Sequence, residues 1–293
     1  MIITRLVGGL GNQMFQYAAG RRLADRLGAK LKLDLSPLHR EGNRQYGLDR
    51  LNIRAPVTRY LSLDFYEGRP NAALRPWIIR RYGAIVRSLY VVTKEPVDMS
   101  LSNEALQTRR RHTILSGFWQ SERYFLDDAE AIRQDLTLKA PPIGQNKDLM
   151  SVIAQVNAVS LHVRRGDYVH NPQANAFHGL CSLEYYQKAV ARIAAQVPAP
   201  HFFIFSDDPE WSRQNLRLSQ PATFVTHNGA DHAFEDLRLM SCCRHHIIAN
   251  SSFSWWGAWL AAPPGGLVVA PERWYAVPTI NTANLLPPAW IRL

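Results

Sequence analysis

From residue 158 onward, short apolar runs alternate with stretches long enough to be helices, and this rhythm limits the fold more than any other feature of the chain. Residues 158–163, 201–205, 223–226, 246–249 and 267–270 read as strands, and 182–197, 209–218, 234–242 and 252–261 as helices. Strands separated by helices of this length pair in parallel through right-handed crossovers, and ligands then bind beyond their carboxyl ends. A Rossmann-like second half is expected.

The first half also reads as α/β. Residues 2–7 form a buried strand, and 12–27 place Phe15, Ala18, Ala19, Leu23 and Leu27 at helical spacing. Further strands are expected at 30–35 and 112–116, a basic amphipathic helix at 75–89 and another helix at 121–136. Between the halves, 140–148 contains Pro141, Pro142 and Gly144 and reads as a linker. The chain of 293 residues is long enough for two units, expected at 1–145 and 146–293.

Charge narrows the partners without choosing among them. The net charge of +10 suits phosphate-bearing molecules, nucleic acid or an anionic membrane face. Arg69, Arg75, Arg80, Arg81 and Arg87 cluster, as do Arg109, Arg110 and Arg111; solvated surface is the plain reading and peripheral docking at an inner membrane face the alternative. Nucleic acid is not an expected partner, because no helix-turn-helix, RNP or zinc spacing is present. The most apolar stretch, 247–262, is interrupted by Asn250, Ser251, Ser252 and Ser254, short of the roughly 20 apolar residues of a membrane span. Residues 2–7 carry Arg5 and run into glycines, unlike a secretory leader, so a cytoplasmic location is expected. Cys181, Cys242 and Cys243 lack metal or disulfide spacing and read as buried thiols. His227, His232, His245 and His246 fall on different elements, so no metal site is expected there.

Four motifs carry chemistry. In residues 162–168, HVRRGDY, Arg164 and Arg165 leave an apolar strand at the ligand end of this fold, where guanidiniums with fixed donors suit a diphosphate; an ion pair of one arginine with Asp167 is the structural alternative. In FSDD, 205–208, Asp208 reads as the cap of a helix begun by Pro209, and Asp207 as a supporting carboxylate. In NSSFSWWGAWL, 250–260, a strand, Asn-Ser-Ser and a helix start make an anion seat with Ser251 and Ser252, while Trp255, Trp256 and Trp259 read as core. In GGLGNQMFQ, 8–16, the dinucleotide fingerprint and the P-loop both fail, but the glycines let backbone approach a ligand beside the amides of Asn12 and Gln13. No Asp-x-Asp occurs; Asp207 and Asp208 are adjacent and are expected to point opposite ways, poorly placed to share a hard cation.

Taken together and in this order, with GFWQSERYF at 117–125, these motifs resemble the bacterial alpha-1,2-fucosyltransferases of glycosyltransferase family 11. The resemblance implies a GT-B-like α/β fold of two facing Rossmann-like domains with a cleft between them, the first on the acceptor side and the second binding the donor. It implies inverting transfer of L-fucose from GDP-fucose to a galactose-type acceptor, with no metal or other cofactor. By similarity, Arg164 and Arg165 bind the diphosphate, His162 and Asp236 meet the guanine-nucleoside end, and Ser251 or Ser252 the phosphates. For the catalytic base, Asp167 and a late, unassisted deprotonation both stay open.

Overall fold

The structure, a computed structural model, describes residues 1–41, 45–58, 89–261 and 265–293, with the side chains of 39–41, 106 and 167 outside the description. Five short strands build the first sheet: β1 (Ile2–Arg5), β2 (Leu31–Asp34), β3 (Val57–Thr58), β4 (Val91–Lys94) and β5 (Thr113–Ser116). They run parallel in the order β3-β2-β1-β5-β4. The helix Leu10–Arg26 follows β1 directly and lies close on it, because Gly20 sits against Thr4, where a β-carbon would collide with the Oγ1. Beneath it, the buried carboxylate of Asp135 accepts from the Tyr17 hydroxyl at 2.7 Å and pairs with the Nε atoms of Arg21 and Arg54, both at 2.9 Å. A buried charge with that many donors is held rather than stranded.

The second sheet has six parallel strands: β6 (Asn157–Val163), β7 (Pro200–Ser206), β8 (Ala222–Val225), β9 (His245–Ile247), β10 (Val268–Ala270) and β11 (Ile291–Arg292), in the order β11-β10-β9-β6-β7-β8. Alternation along β6 divides its side chains. Val159, Leu161 and Val163 pack with Tyr186, Ala189 and Ile193 of the helix Leu183–Ala194. On the opposite face Ala158 packs with Leu239 and Met240 of the helix Ala233–Cys242. Trp255, Trp256 and Trp259 are core, at most 5% exposed. Each unit is thus a Rossmann-like parallel sheet with helices packed on it.

Two expectations meet a different structure, and a third falls on residues outside the description. Residues 140–148 are only in part a linker, since the helix Gly144–Ile153 begins there; the compact units are Met1–Thr137 with Ala283–Leu285, and Leu138–Thr282 with Leu286–Leu293. Ala283–Leu285 joins the first unit through Asn284, whose main-chain oxygen accepts from Ser121 Oγ at 2.6 Å and whose Oδ1 accepts from Arg123 at 2.8 Å. The helix expected at 121–136 is two 3-10 turns, Glu122–Tyr124 and Leu126–Asp128, before an α-helix at Ala129–Asp135. Phe125 explains the break: its φ of −148° leaves helical geometry, and its ring is fully buried. The basic helix expected from residue 75, with Arg69, Arg75, Arg80, Arg81 and Arg87, lies outside the described residues. Arg109 to Arg111 are described, mostly exposed, ahead of β5. No helix among the described residues is long and apolar enough to cross a membrane.

Candidate active site

In a doubly wound sheet the loops diverge where consecutive strands lead off in opposite directions, and that opening receives the ligand. In the second sheet it falls between β6 and β9. The residues that follow β6 are Arg164 and Arg165; those that follow β9 lead through Asn250 to Ser251 and Ser252. Two motifs separated by some eighty residues thus flank one opening.

The arginines are fixed by their neighbours on β7. Val163 pairs with Ser206 in register, so Arg164 and Arg165 emerge beside Asp207 and Asp208. Arg164 reaches the Asp207 Oδ2 at 2.9 Å, and the Arg165 backbone N–H donates to the Asp207 Oδ1 at 2.7 Å. Arg165 Nε donates to the Asp208 Oδ2 at 3.3 Å, and its guanidinium lies 3.9 Å from the Trp211 ring centroid. Asp208 also caps its helix, Oδ1 accepting from the Trp211 N–H at 3.1 Å. This corrects the expectation that the two aspartates diverge: β7 ends at Ser206, alternation ends with it, and both carboxylates turn to the arginines. Both arginines thus have ion pairs on the loop that follows β7, with Asp207 and Asp208; the pair with Asp167 considered from the sequence falls on a side chain outside the described residues, in the short helix Gly166–His170. Gly166 is glycine for space, since a β-carbon there would stand 2.6 Å from the Asp207 Oδ2.

Across the opening, Ser251 caps the helix Ser252–Leu260 by accepting from the Phe253 N–H, leaving Ser252 in the first turn with amides that face outward. Asn250 is a brace: its Nδ2 donates to the main-chain oxygens of His178, Gly179 and Trp274. Sequence reading missed an aromatic wall beside Arg164. Tyr168 lies under that guanidinium, stacks on His178 at 4.6 Å, and His178 meets Phe177 and Tyr275. Only the spacing of aromatics after the arginines hinted at it.

His162, the penultimate residue of β6, is 5% exposed and 5.7 Å from the Phe253 ring. Its Nδ1 has no partner among the described residues, and burial pushes its pKa down to about 4. Buried His246 on β9, bonded to Ser160 Oγ at 2.7 Å, is pushed down to about 3 for the same reason. Both rings are neutral in the fold and gain protons on unfolding. Their contribution to stability is whole above the ordinary value of 6.5 and is lost as pH falls toward 4. Between pH 6.5 and 6, Tm should drop on the order of 5 °C per pH unit, less steeply below 6 where protonation of buried Asp236 offsets one ring, and His246→Asn should flatten that slope. Thermal scans from pH 7 to 4.5 decide it; a level Tm in the wild type would refute the assignment.

Asp236 is in the first turn of the helix Ala233–Cys242, which follows β8, the strand two places from β6 in the sheet. It accepts from Asn228 Nδ2 at 2.8 Å, and burial raises its pKa to about 6, with Glu235 adding to the rise. Asn228 is itself held by Asn146. Glu235 is spent on Arg238, at 2.8 Å.

The first unit places Asn12 and Gln13 differently from each other. Gln13 is buried and fully engaged with main chain: Nε2 donates to Gly8 and Gln45 oxygens, and Oε1 accepts from the Gly47 N–H. It braces loops. Asn12 accepts from Gln120 Nε2 at 2.8 Å, and its own amide hydrogens have no partner among the described residues.

Two guanidiniums at the switch point of one parallel α/β unit, joined in sequence to a second such unit, make a candidate seat for an anionic ligand. The chain belongs to glycosyl transferase family 11, whose model matches residues 69–293. It is 35% identical to an alpha-1,2-colitosyltransferase of Escherichia coli, over 100% of this chain and 99% of that one. It is 32% identical to the O-antigen biosynthesis glycosyltransferase WbnK of Escherichia coli, over 98% and 99%. With galactoside alpha-(1,2)-fucosyltransferase 2 of Rattus norvegicus the identity is 27%, over 89% of this chain and 67% of that one.

Proposed function

We propose that the protein is an inverting, metal-independent transferase that moves L-fucose from GDP-fucose to the 2-hydroxyl of a galactose-type acceptor, in bacterial surface glycan synthesis at the cytoplasmic face of the membrane. The observation that carries this reading is the pair of guanidiniums held in place at the β6/β9 opening, opposite the serine-capped helix start. In the reaction the acceptor oxygen attacks the anomeric carbon from the side away from the diphosphate. The bond from that carbon to the phosphate oxygen breaks, and GDP leaves with the electron pair. Arg164 and Arg165 meet the charge that grows on the leaving oxygen, aided by the hydroxyls and amides of Ser251 and Ser252. His162 and Asp236 serve the guanosine end. The acceptor proton passes to Asp167, two residues past Arg165, or leaves late and unassisted to water; a solvent isotope effect on Asp167→Asn against wild type separates the two. Gln13 acts by bracing and Asn12 by contact with ligand.

The linkage is supported by the relatives' names, which share a 1,2 bond. They differ in the sugar, so transfer of colitose is the second reading. Colitose lacks one ring hydroxyl of fucose, and a site that hydrogen-bonds a hydroxyl discriminates strongly against its absence, whereas a site that ignores it does not. Comparing kcat/KM for the two GDP-sugars separates the readings.

Metal independence has a geometric argument. The carboxylates of Asp207 and Asp208, the adjacent acidic pair, are engaged by arginines rather than open to a shared hard cation. Fucose transfer should persist in excess EDTA, with no more than about a twofold gain from added Mg²⁺ or Mn²⁺. Activity abolished by EDTA and restored by one metal would overturn this part of the mechanism.

A further inference from the structure

The first sheet has its own switch point, between β1 and β5, and the loops that leave it are residues 6–9 and 117–120. The second loop is held under strain. Trp119 has a φ of +58°, in the left-handed region that bulky residues avoid, although its ring is fully buried edge-on to Tyr124 at 5.3 Å. Its indole N–H has no acceptor among the described residues. Costs of this kind persist where surrounding contacts impose them, and they concentrate at functional sites. Here the imposing group is Glu95, just past β4. Its two carboxylate oxygens accept from the backbone N–H groups of Phe118, at 2.6 Å, and Trp119, at 2.8 Å. Gly117 lies so close to the Glu95 side chain that a β-carbon would collide, and its main-chain oxygen accepts from Gln16 Nε2 at 3.1 Å.

The constraint leaves Phe118 outward. It is 36% exposed at the carboxyl edge of the sheet and makes no ring contact among the described residues. Two residues on, Gln120 donates to Asn12 of the helix Leu10–Arg26, so the turn that carries the apolar ring also carries one of two bonded side-chain amides. That is the chemistry of hexose recognition: an aromatic face for the ring's C–H side, and amide donors and acceptors for its hydroxyls.

We propose that the turn Gly117 to Gln120 is the acceptor platform, with Phe118 receiving the apolar face of a galactose-type ring, Asn12 and Gln120 binding its hydroxyls, and Glu95 as the positioning residue. The inference rests on the sugar-transfer reading above. It is tested by varying methyl β-galactoside at saturating GDP-fucose, with GDP affinity measured separately by calorimetry. Phe118→Ala should raise the acceptor KM at least tenfold with GDP affinity unchanged within twofold, and Phe118→Trp should restore it. Glu95→Gln, which replaces one acceptor oxygen by a donor, should raise the same KM and spare GDP binding, a split that general unfolding cannot produce. An acceptor KM within twofold of wild type in Phe118→Ala overturns the proposal. Should the wild type transfer no fucose at all, the donor reading fails by itself. The platform is then judged by saturation-transfer NMR with methyl β-galactoside: a signal lost in Phe118→Ala supports it, and an equal signal, or none in the wild type, rejects it.

Discussion

Arg164→Ala is expected to lower kcat for transfer by about 10²–10³, the scale of removing one preorganised charge-stabilising donor. The structure adds a reason for the upper end. Asp207 Oδ2, 2.9 Å from Arg164 in the wild type, would be left facing the diphosphate as an unpaired negative charge. The double variant Arg164→Ala/Asp207→Asn should therefore recover roughly tenfold over the single one, since the repulsion goes while the Arg165 N–H keeps an oxygen to bond. Arg165→Ala should cost a similar factor in rate. Lysine at either position should rescue only in part, because a point charge replaces a planar fork that at 165 also stacks on Trp211. Stopped transfer assays on folded variants measure this, and near wild-type turnover in both alanine variants would remove the anion seat from the mechanism.

GDP should bind at least about 100-fold more tightly than UDP, and Asp236→Ala should erase most of that preference. A carboxylate can accept from both the N1–H and the exocyclic amine of guanine; uracil has no matching pair of donors. Glu235→Ala breaks the pair with Arg238 instead, and should lower stability with little change in nucleotide choice. The preference should also depend on pH. Asp236 carries a pKa raised to about 6, so the charged acceptor is present above that value and is lost as pH falls through it. GDP affinity should decline from pH 7.5 to 5 more steeply than UDP affinity, because both lose charge on the terminal phosphate but only GDP also loses the charged Asp236 acceptor. Calorimetry with both nucleotides checks this; equal affinities in the wild type would reject the guanine assignment.

The strands of the second half were legible because strands buried on both faces are apolar runs, which helical periodicity does not imitate. The arginine pair was legible for the same reason, as a charged break after such a run. Its ion-pair partners were not. Asp207 and Asp208 stand more than forty residues away, and only the β6/β7 register brings them beside Arg164 and Arg165. The helix Gly144–Ile153 was hidden by the prolines just before it, which read as linker up to the turn of its Gly144, at a φ of +52°. Gln13 and Asn12 looked equivalent as neighbouring amides; burial alone separates the brace from the half-exposed group beside Gln120. Glu95 carried no sequence signal at all, since its role depends on β4 lying next to β5.

The tie between Asn284 and the pair Ser121 and Arg123 bears on the order of events during synthesis. The sheet strands of the first unit have all been synthesised once Ser116 is added, and after a further stretch of chain has carried them clear of the ribosome they can pair while the second unit is still being translated. Asn284 arrives more than 160 residues later. Until then the loop after β5, which carries Phe118 and Trp119, lacks one of its anchors, so that loop is fully secured only after most of the second unit has been made.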